Sequence, residues 1–190
     1  MINNKYFIFT GAMGGGKTTI VNLLREKQYL CIDEPARQIL AEQRSINGEG
    51  IPGENPELFI RLMLSRSIDQ YKINSKCNDV ILFDRGIPDL IGYADLSNIN
   101  RNVYVNAAKL YLYNKNVFMF NAWEEIYTTD DERKMEFDSA KKFGINVSNI
   151  YKELGYNIID VPFVSVQKRV EYIINLIDTF VKNLSLDSGD

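Results

Sequence analysis

The 190-residue sequence contains no histidine. That absence excludes His-based nucleophilic triads, two-His zinc sites and imidazole acid–base catalysis, and leaves carboxylates, lysines, arginines and hydroxyls to do any chemistry. Cysteine is scarce: Cys31 and Cys77 stand alone, with no C-x-x-C pair, so neither a disulfide framework nor a structural zinc site can be assembled. Long hydrophobic runs are missing too, none approaching the ~18 residues of a membrane span. The opening Met1-Ile2-Asn3-Asn4-Lys5 lacks the apolar stretch of a signal peptide, so the cytoplasm is the expected location. A dominant charge sign is absent: 22 basic residues face 25 acidic ones, a net charge of −3, which argues against a broad nucleic-acid surface.

What is present is 45% apolar residues spread without internal repeats, enough for one cored domain, expected over residues 1–184 with a frayed tail at 185–190. Short apolar runs alternate with segments of helical spacing, the pattern of βα units around a parallel sheet, so the expected class is α/β. Five strands are predicted: Lys5 to Thr10, Tyr29 to Asp33, Asp79 to Asp84, Asn116 to Phe120 and Tyr156 to Val161. The first, third and fourth are nearly continuous in Phe, Ile, Val, Leu and Met, as strands covered on both faces should be. Helices are predicted over Lys17 to Lys27, Pro35 to Arg44, Glu57 to Lys76, Pro88 to Leu96 and Asn102 to Tyr113. A last one carries Val166, Val170, Ile173, Ile174, Ile177 and Val181 on one face. Ile60, Leu64, Ile68 and Tyr71 form a stripe on the third helix that reads as core. The polar segment Asn121 to Lys142 reads as a solvated loop or a mobile lid.

The sharpest motif follows the first strand. Gly11-Ala12-Met13-Gly14-Gly15-Gly16-Lys17-Thr18 fits G-x-x-x-x-G-K-[ST], and Thr19-Ile20-Val21 continues it into an amphipathic helix. Glycines let successive N–H groups turn inward, and the helix N-terminus adds its positive dipole end, so the loop cradles a polyphosphate. Lys17 would reach the β and γ phosphates, and Thr18 would offer its hydroxyl to Mg²⁺. Ligands of open parallel sheets sit at the carboxyl ends of the strands, so the other strand ends carry the remaining information. The third strand ends in Asp84-Arg85-Gly86, with Asp84 in the Walker B position facing the metal and Arg85 a guanidinium clamp. The second ends in Asp33-Glu34-Pro35; Pro35 holds Glu34 extended at the sheet rim, where its carboxylate can take the proton of an attacking hydroxyl. Arg133, in the polar segment, is a candidate to cover the transferring phosphate.

These residues resemble the nucleoside and nucleotide kinase branch of P-loop proteins, and more closely its NadR-like group, whose domains often carry the label AAA ATPase. The resemblance rests on Gly11 to Thr19, Glu34-Pro35-Ala36-Arg37, Phe83 to Asp89 with Tyr93-Ala94, Trp123 to Tyr127, Asp131-Glu132-Arg133, and Tyr151 through Gly155-Tyr156. It implies a three-layer α/β/α P-loop NTPase fold with a five-stranded sheet in the order 2-3-1-4-5, ATP and Mg²⁺ in the cleft, and a lid. It further implies Glu34 as base and Arg85 as clamp. The lid has fewer arginines than most small-molecule kinases, and the chain is too short for the usual additional helical subdomain of a remodelling motor, so a motor is not expected.

Two functions follow. The first is an ATP-dependent kinase acting on a hydroxyl of a small metabolite, nucleoside or nicotinamide-riboside-like, with Arg37, Arg61, Arg66 and Tyr71 as candidates for the acceptor wall. The second is a nucleotide-gated switch, favoured by the arginine-poor lid. Adenine is the expected base and GTP the alternative, because no Asn-Lys-x-Asp stretch occurs; Asn114-Lys115-Asn116 lacks the acid. A monomer or homodimer is the expected assembly.

Overall fold

The computed structural model describes residues 3–127 and 136–187. Five strands, β1 (Tyr6–Gly11), β2 (Leu30–Ile32), β3 (Ile81–Asp84), β4 (Asn116–Phe120) and β5 (Asn157–Asp160), form one parallel sheet. Its order is β2-β3-β1-β4-β5, as the resemblance implied. Among the described residues seven α-helices accompany it: α1 (Lys17–Glu26), α2 (Ala36–Ser45), α3 (Pro56–Ile73), α4 (Asp89–Leu96), α5 (Asn102–Leu110), α6 (Phe137–Glu153) and α7 (Val166–Asp187).

Strand alternation divides the core into two layers. On β1, Tyr6 and Ile8 point to the face covered by α2 through α6, while Phe7 and Phe9 point to the face covered by α1 and α7. β4 repeats this, with Val117 and Met119 on the first face and Phe118 and Phe120 on the second. All eight side chains are fully buried, each worth about 1.5–3 kcal/mol for a large apolar group removed from water. The central strand therefore has no polar face, which is why its sequence is apolar at consecutive positions.

α3 starts at Pro56, where Asn55 caps it by accepting from the Leu58 N–H at 3.0 Å. Its stripe is core: Ile60 and Leu64 are buried, and Ile68 and Tyr71 pack against them.

Beyond shifts of one or two residues at element ends, the sequence reading differs from the structure in four places. α6 was not expected, and residues 137–142 of the predicted loop form its first turns. Its apolar face, Ala140, Phe143, Val147, Ile150 and Tyr151, has helical spacing, but its beginning merges with a charged run of loop-like composition. Lys76 closes a separate 3₁₀ turn, Asn74–Lys76, rather than α3. α5 ends at Leu110, because Tyr111 leaves helical geometry and packs edge-on against Tyr71. α7 continues to Asp187, past the predicted start of the tail.

Candidate nucleotide and acceptor site

The loop between β1 and α1 needs its glycines for two physical reasons. Gly11, Gly14 and Gly16 have positive φ (124°, 78° and 77°), which side chains rarely tolerate. Neighbours also crowd them: a Cβ on Gly11 would collide with the Phe120 carbonyl, and one on Gly14 with the Tyr127 ring. The Ala12 N–H donates to Phe120 O at 2.9 Å, so the loop stays anchored to β4 as it leaves the sheet. Gly16, in the left-handed conformation, precedes Lys17 and opens α1, and Thr18 and Thr19 lie exposed on its first turn. Met13 is partly exposed along the same curve.

Two neighbouring residues at the end of β3 serve two different partners. Asp84 accepts from the Lys17 ammonium, which joins the strand end to the loop. Arg85 takes a left-handed backbone (φ 66°), unusual for a non-glycine residue, and its guanidinium is buried. Its Nη1 donates to Gly11 O at 3.1 Å and to Asp89 Oδ1 at 3.0 Å, while Nε lies 3.2 Å from Glu34 Oε1. The planar group is flanked by the Tyr93 and Phe143 rings, at 5.7 and 5.6 Å. Burial opposes its charge, but Tyr93, Glu34 and Asp89 outweigh that and hold it well above the usual guanidinium value.

Glu34 stands at the end of β2 with its side chain 22% exposed, fixed by Arg85 and by the Tyr93 hydroxyl, which donates to Oε1 at 2.9 Å. Behind it, Asp89 is fully buried and accepts from Thr10 Oγ1, the Gly86 N–H at 2.9 Å, Tyr151 Oη at 2.7 Å and Arg85. That is near the full capacity of a carboxylate. Burial, opposed by Arg85 and reinforced by Glu34 and Asp89, raises the Tyr93 phenol well above its ordinary range, so it remains a donor. α6 is drawn close by Gly144, where a Cβ would stand 3.0 Å from Ala12 Cβ; that approach sets Phe143 against Arg85.

The remaining candidates separate. Arg37 is exposed on the first turn of α2, three residues beyond Glu34. Arg61 pairs with Glu57 on the exposed face of α3 at 2.8 Å, and Arg66 with Glu42 of α2 at 3.0 Å. Tyr71 lies among Tyr6, Tyr111 and Tyr113 and donates to Leu112 O at 2.7 Å, beside the opening residue of β1 and so at the end of the sheet away from the loop. Arg133 lies outside the described residues, as does 128–135 of the predicted lid.

Three groups complete the site: Asp89 and Tyr93, which the sequence offers as landmarks of the resemblance but without a role, and Arg169, which it does not single out. Asp89 and Tyr93 stand four apart on α4, so they share one helix face, and that face meets the guanidinium of Arg85, which precedes the helix. Arg169 interrupts the apolar face of α7, between Val166 and Ile173, and reaches the loop from the opposite layer, donating to Gly15 O at 2.7 Å. A charge inside an apolar helix stripe was the available signal.

Solved structures share this architecture. A deoxyadenosine kinase from M. mycoides, with dCMP and dCDP, superposes with a TM-score of 0.63 at 19% identity, over 92% of this chain and 99% of that one. The NadR protein in complex with NR gives 0.62 and 19%, over 93% of this chain and 51% of that one. Thymidylate kinase from Ehrlichia chaffeensis gives 0.59 and 17%, over 93% and 99%. No curated protein sequence matches the chain. The shared fold is that of kinase-like P-loop proteins. A family model described as AAA domain spans residues 6–169, from the first strand through the first turn of α7, and the chain belongs to that AAA domain family.

Proposed function

We propose that the protein is an ATP-dependent kinase that phosphorylates a hydroxyl of a nucleoside-like metabolite. The observation that carries this reading is the division of labour at Asp84-Arg85: Asp84 pairs with Lys17 of the phosphate loop, and Arg85 with Glu34 of the neighbouring strand. Two charged centres, one suited to a triphosphate and one holding a partly exposed carboxylate, thus lie side by side at one edge of the sheet. A nucleotide switch that activates only water has no need for the second. The structural relatives' nucleosides and nucleotides, dCMP, dCDP and NR, support the acceptor class.

In the proposed reaction the loop N–H groups and Lys17 hold the triphosphate. Glu34 accepts the proton of the acceptor hydroxyl as its oxygen forms a bond to the γ-phosphorus. The bond from that phosphorus to the bridging oxygen breaks, and ADP departs. Arg85 keeps the Glu34 carboxylate in place and adds positive charge beside the transferring group. Arg133 and the segment around it would close over the phosphates as a lid. Among the described residues no group of three acidic, cysteine or histidine side chains could hold a metal alone. The hard oxygens of Thr18 and Asp84 fit Mg²⁺ shared with phosphate oxygens and water, and the ion would neutralise phosphate charge when bound. No helix of the described residues is long and apolar enough to cross a membrane.

The test is ADP release by purified protein with Mg·ATP across a panel of ribonucleosides, deoxyribonucleosides and nicotinamide riboside. One class should raise turnover well above the rate without acceptor. Hydrolysis that no acceptor stimulates, together with nucleotide-dependent capture of a protein partner, would instead favour the switch.

A further inference from the structure

Arg169 differs from Arg85, the other buried arginine of the site, in its lack of a carboxylate partner among the described residues. It is 1% exposed, yet among the described residues it forms no ion pair, and its Nε has no hydrogen-bond partner. Arg85, buried as well and with an Nε that also makes no hydrogen bond, faces two carboxylates. The Arg169 guanidinium lies between the Phe120 ring at 5.1 Å and the Trp123 ring at 5.6 Å, and Trp123 leans in turn on Phe163 at 5.2 Å. Its one directed hydrogen bond, from Nη2, goes to Gly15 O. Nη1 lies against the backbone of Gly16, where a Cβ would come within 2.7 Å of it. A full positive charge is thereby held against the outer side of the phosphate loop, in a setting of aromatic rings that admits little water.

Such a charge is costly to the free protein. An uncompensated buried ion is normally neutralised by a partner or replaced by an apolar side chain without loss of stability. Burial pushes the Arg169 guanidinium below its usual value, with no carboxylate among the described residues to offset it. A bond to a peptide carbonyl alone does not require a cation, since a neutral donor would serve. What a cation supplies at this place is field: low local dielectric leaves it weakly screened, and the groups it faces across the loop backbone are the N–H donors of a phosphate cradle.

We infer that Arg169 is a positioning residue for oligophosphate binding, fixing the Gly15–Gly16 backbone through its bond to Gly15 O and adding its charge to the loop from behind. This rests on the reading of the loop as a nucleoside triphosphate site. The arginine acts on the phosphates rather than on the base, so its effect is common to any ligand bearing a triphosphate.

The experiment compares wild type with Arg169→Met, which preserves length and apolar packing, and Arg169→Lys, which preserves charge. Calorimetry with Mg·ATP, Mg·GTP and inorganic tripolyphosphate is paired with thermal unfolding of the free proteins. The methionine variant should weaken ATP and tripolyphosphate by about tenfold or more and to similar extents, the size expected for losing an interaction with a charged group. Its free-protein Tm should equal or exceed that of wild type, and lysine should recover most of the affinity. In turnover, KM for the triphosphate should rise more than kcat falls. Unchanged affinity, a loss confined to ATP, a lowered Tm, or a methionine variant that does not fold would each overturn the inference, the last two by making Arg169 a structural tether. If wild type itself binds no triphosphate, the functional reading falls instead.

Discussion

The Tyr93 hydroxyl donates to Glu34 Oε1 at 2.9 Å, so the proposed base is oriented from α4 rather than from its own strand. Among the described residues the phenol makes no other hydrogen bond, and it stays protonated because burial and the adjoining carboxylates outweigh Arg85. Tyr93→Phe removes that one bond and keeps the ring that flanks Arg85. A hydrogen bond to a charged group contributes about 1.5–3 kcal/mol, so kcat should fall roughly tenfold or more. ATP affinity measured by calorimetry should change less than about twofold, within the ordinary scatter of a distant substitution. A kcat equal to wild type would mean that Arg85 alone orients Glu34.

Lys17 and Glu34 should fail in different ways. Lys17→Ala removes the ammonium that pairs with Asp84 and serves the loop, so both triphosphate binding and turnover should be lost. Glu34→Gln keeps size and the contact with Tyr93 but cannot accept a proton. Binding should persist while phosphoryl transfer drops by roughly 10²–10⁴. Single-turnover rates beside equilibrium binding separate the two, and a Glu34→Gln enzyme at wild-type speed would remove the carboxylate from the chemistry.

Asp89 is the pin of the arrangement, tying β1 through Thr10, the β3–α4 turn through Gly86, α6 through Tyr151, and Arg85. Asp89→Ala strands a buried guanidinium and three donors. Breaking a buried pair in this way costs about 3–5 kcal/mol, and the denaturant midpoint should move down accordingly. Asp89→Asn retains the shape but not the charge and should fall between the two. A shift under about 1 kcal/mol for the alanine variant, the range of an exposed ion pair, would show that Arg85 is held by Glu34 instead.

The fold was legible wherever period and composition agreed. The central strands announced themselves by consecutive apolar residues, and Gly11 to Thr18 announced the loop, because backbone geometry there tolerates few other residues. The position of Glu34 at a strand end followed from Pro35. Asp89, Tyr93 and Arg169 were not legible as site residues, since their importance comes from what stands across from them. Asp89 is one more helix-start acid until Thr10 and Tyr151 are seen to converge on it. Arg61, Arg66 and Tyr71 illustrate the converse. Each sits on the right helix, but local ion pairs and an aromatic cluster fix them elsewhere. α6 was hidden because burial of Phe143, Val147 and Tyr151 is decided by Arg85, α4 and the sheet, not by the charged run from which the helix emerges.

Alkaline pH should destabilise the protein through its buried thiol and phenols. Burial, with Arg25 opposing, raises the Cys31 thiol from 9.0 to about 11, and burial raises the Tyr6 phenol from 10.0 to about 12. Tyr93, Tyr113 and Tyr151 are raised as well, chiefly by burial. In each case the folded state keeps a proton that the unfolded chain has released, so stability falls as pH rises through that interval. The stabilisation is complete below about pH 9, begins to fade as the Cys31 thiol ionises in the unfolded chain, and fades faster above 10 as phenols join. Thermal unfolding at pH 8, 9, 10 and 11 should give a Tm that holds at first and then drops with increasing slope. Phenolate absorbance should lag behind that of free tyrosine and rise sharply with unfolding. Full, reversible ionisation of all eleven tyrosines near pH 10 in still-folded protein would contradict the burial of Tyr6, Tyr113 and Tyr151, and with it the packing that holds Asp89 under the site.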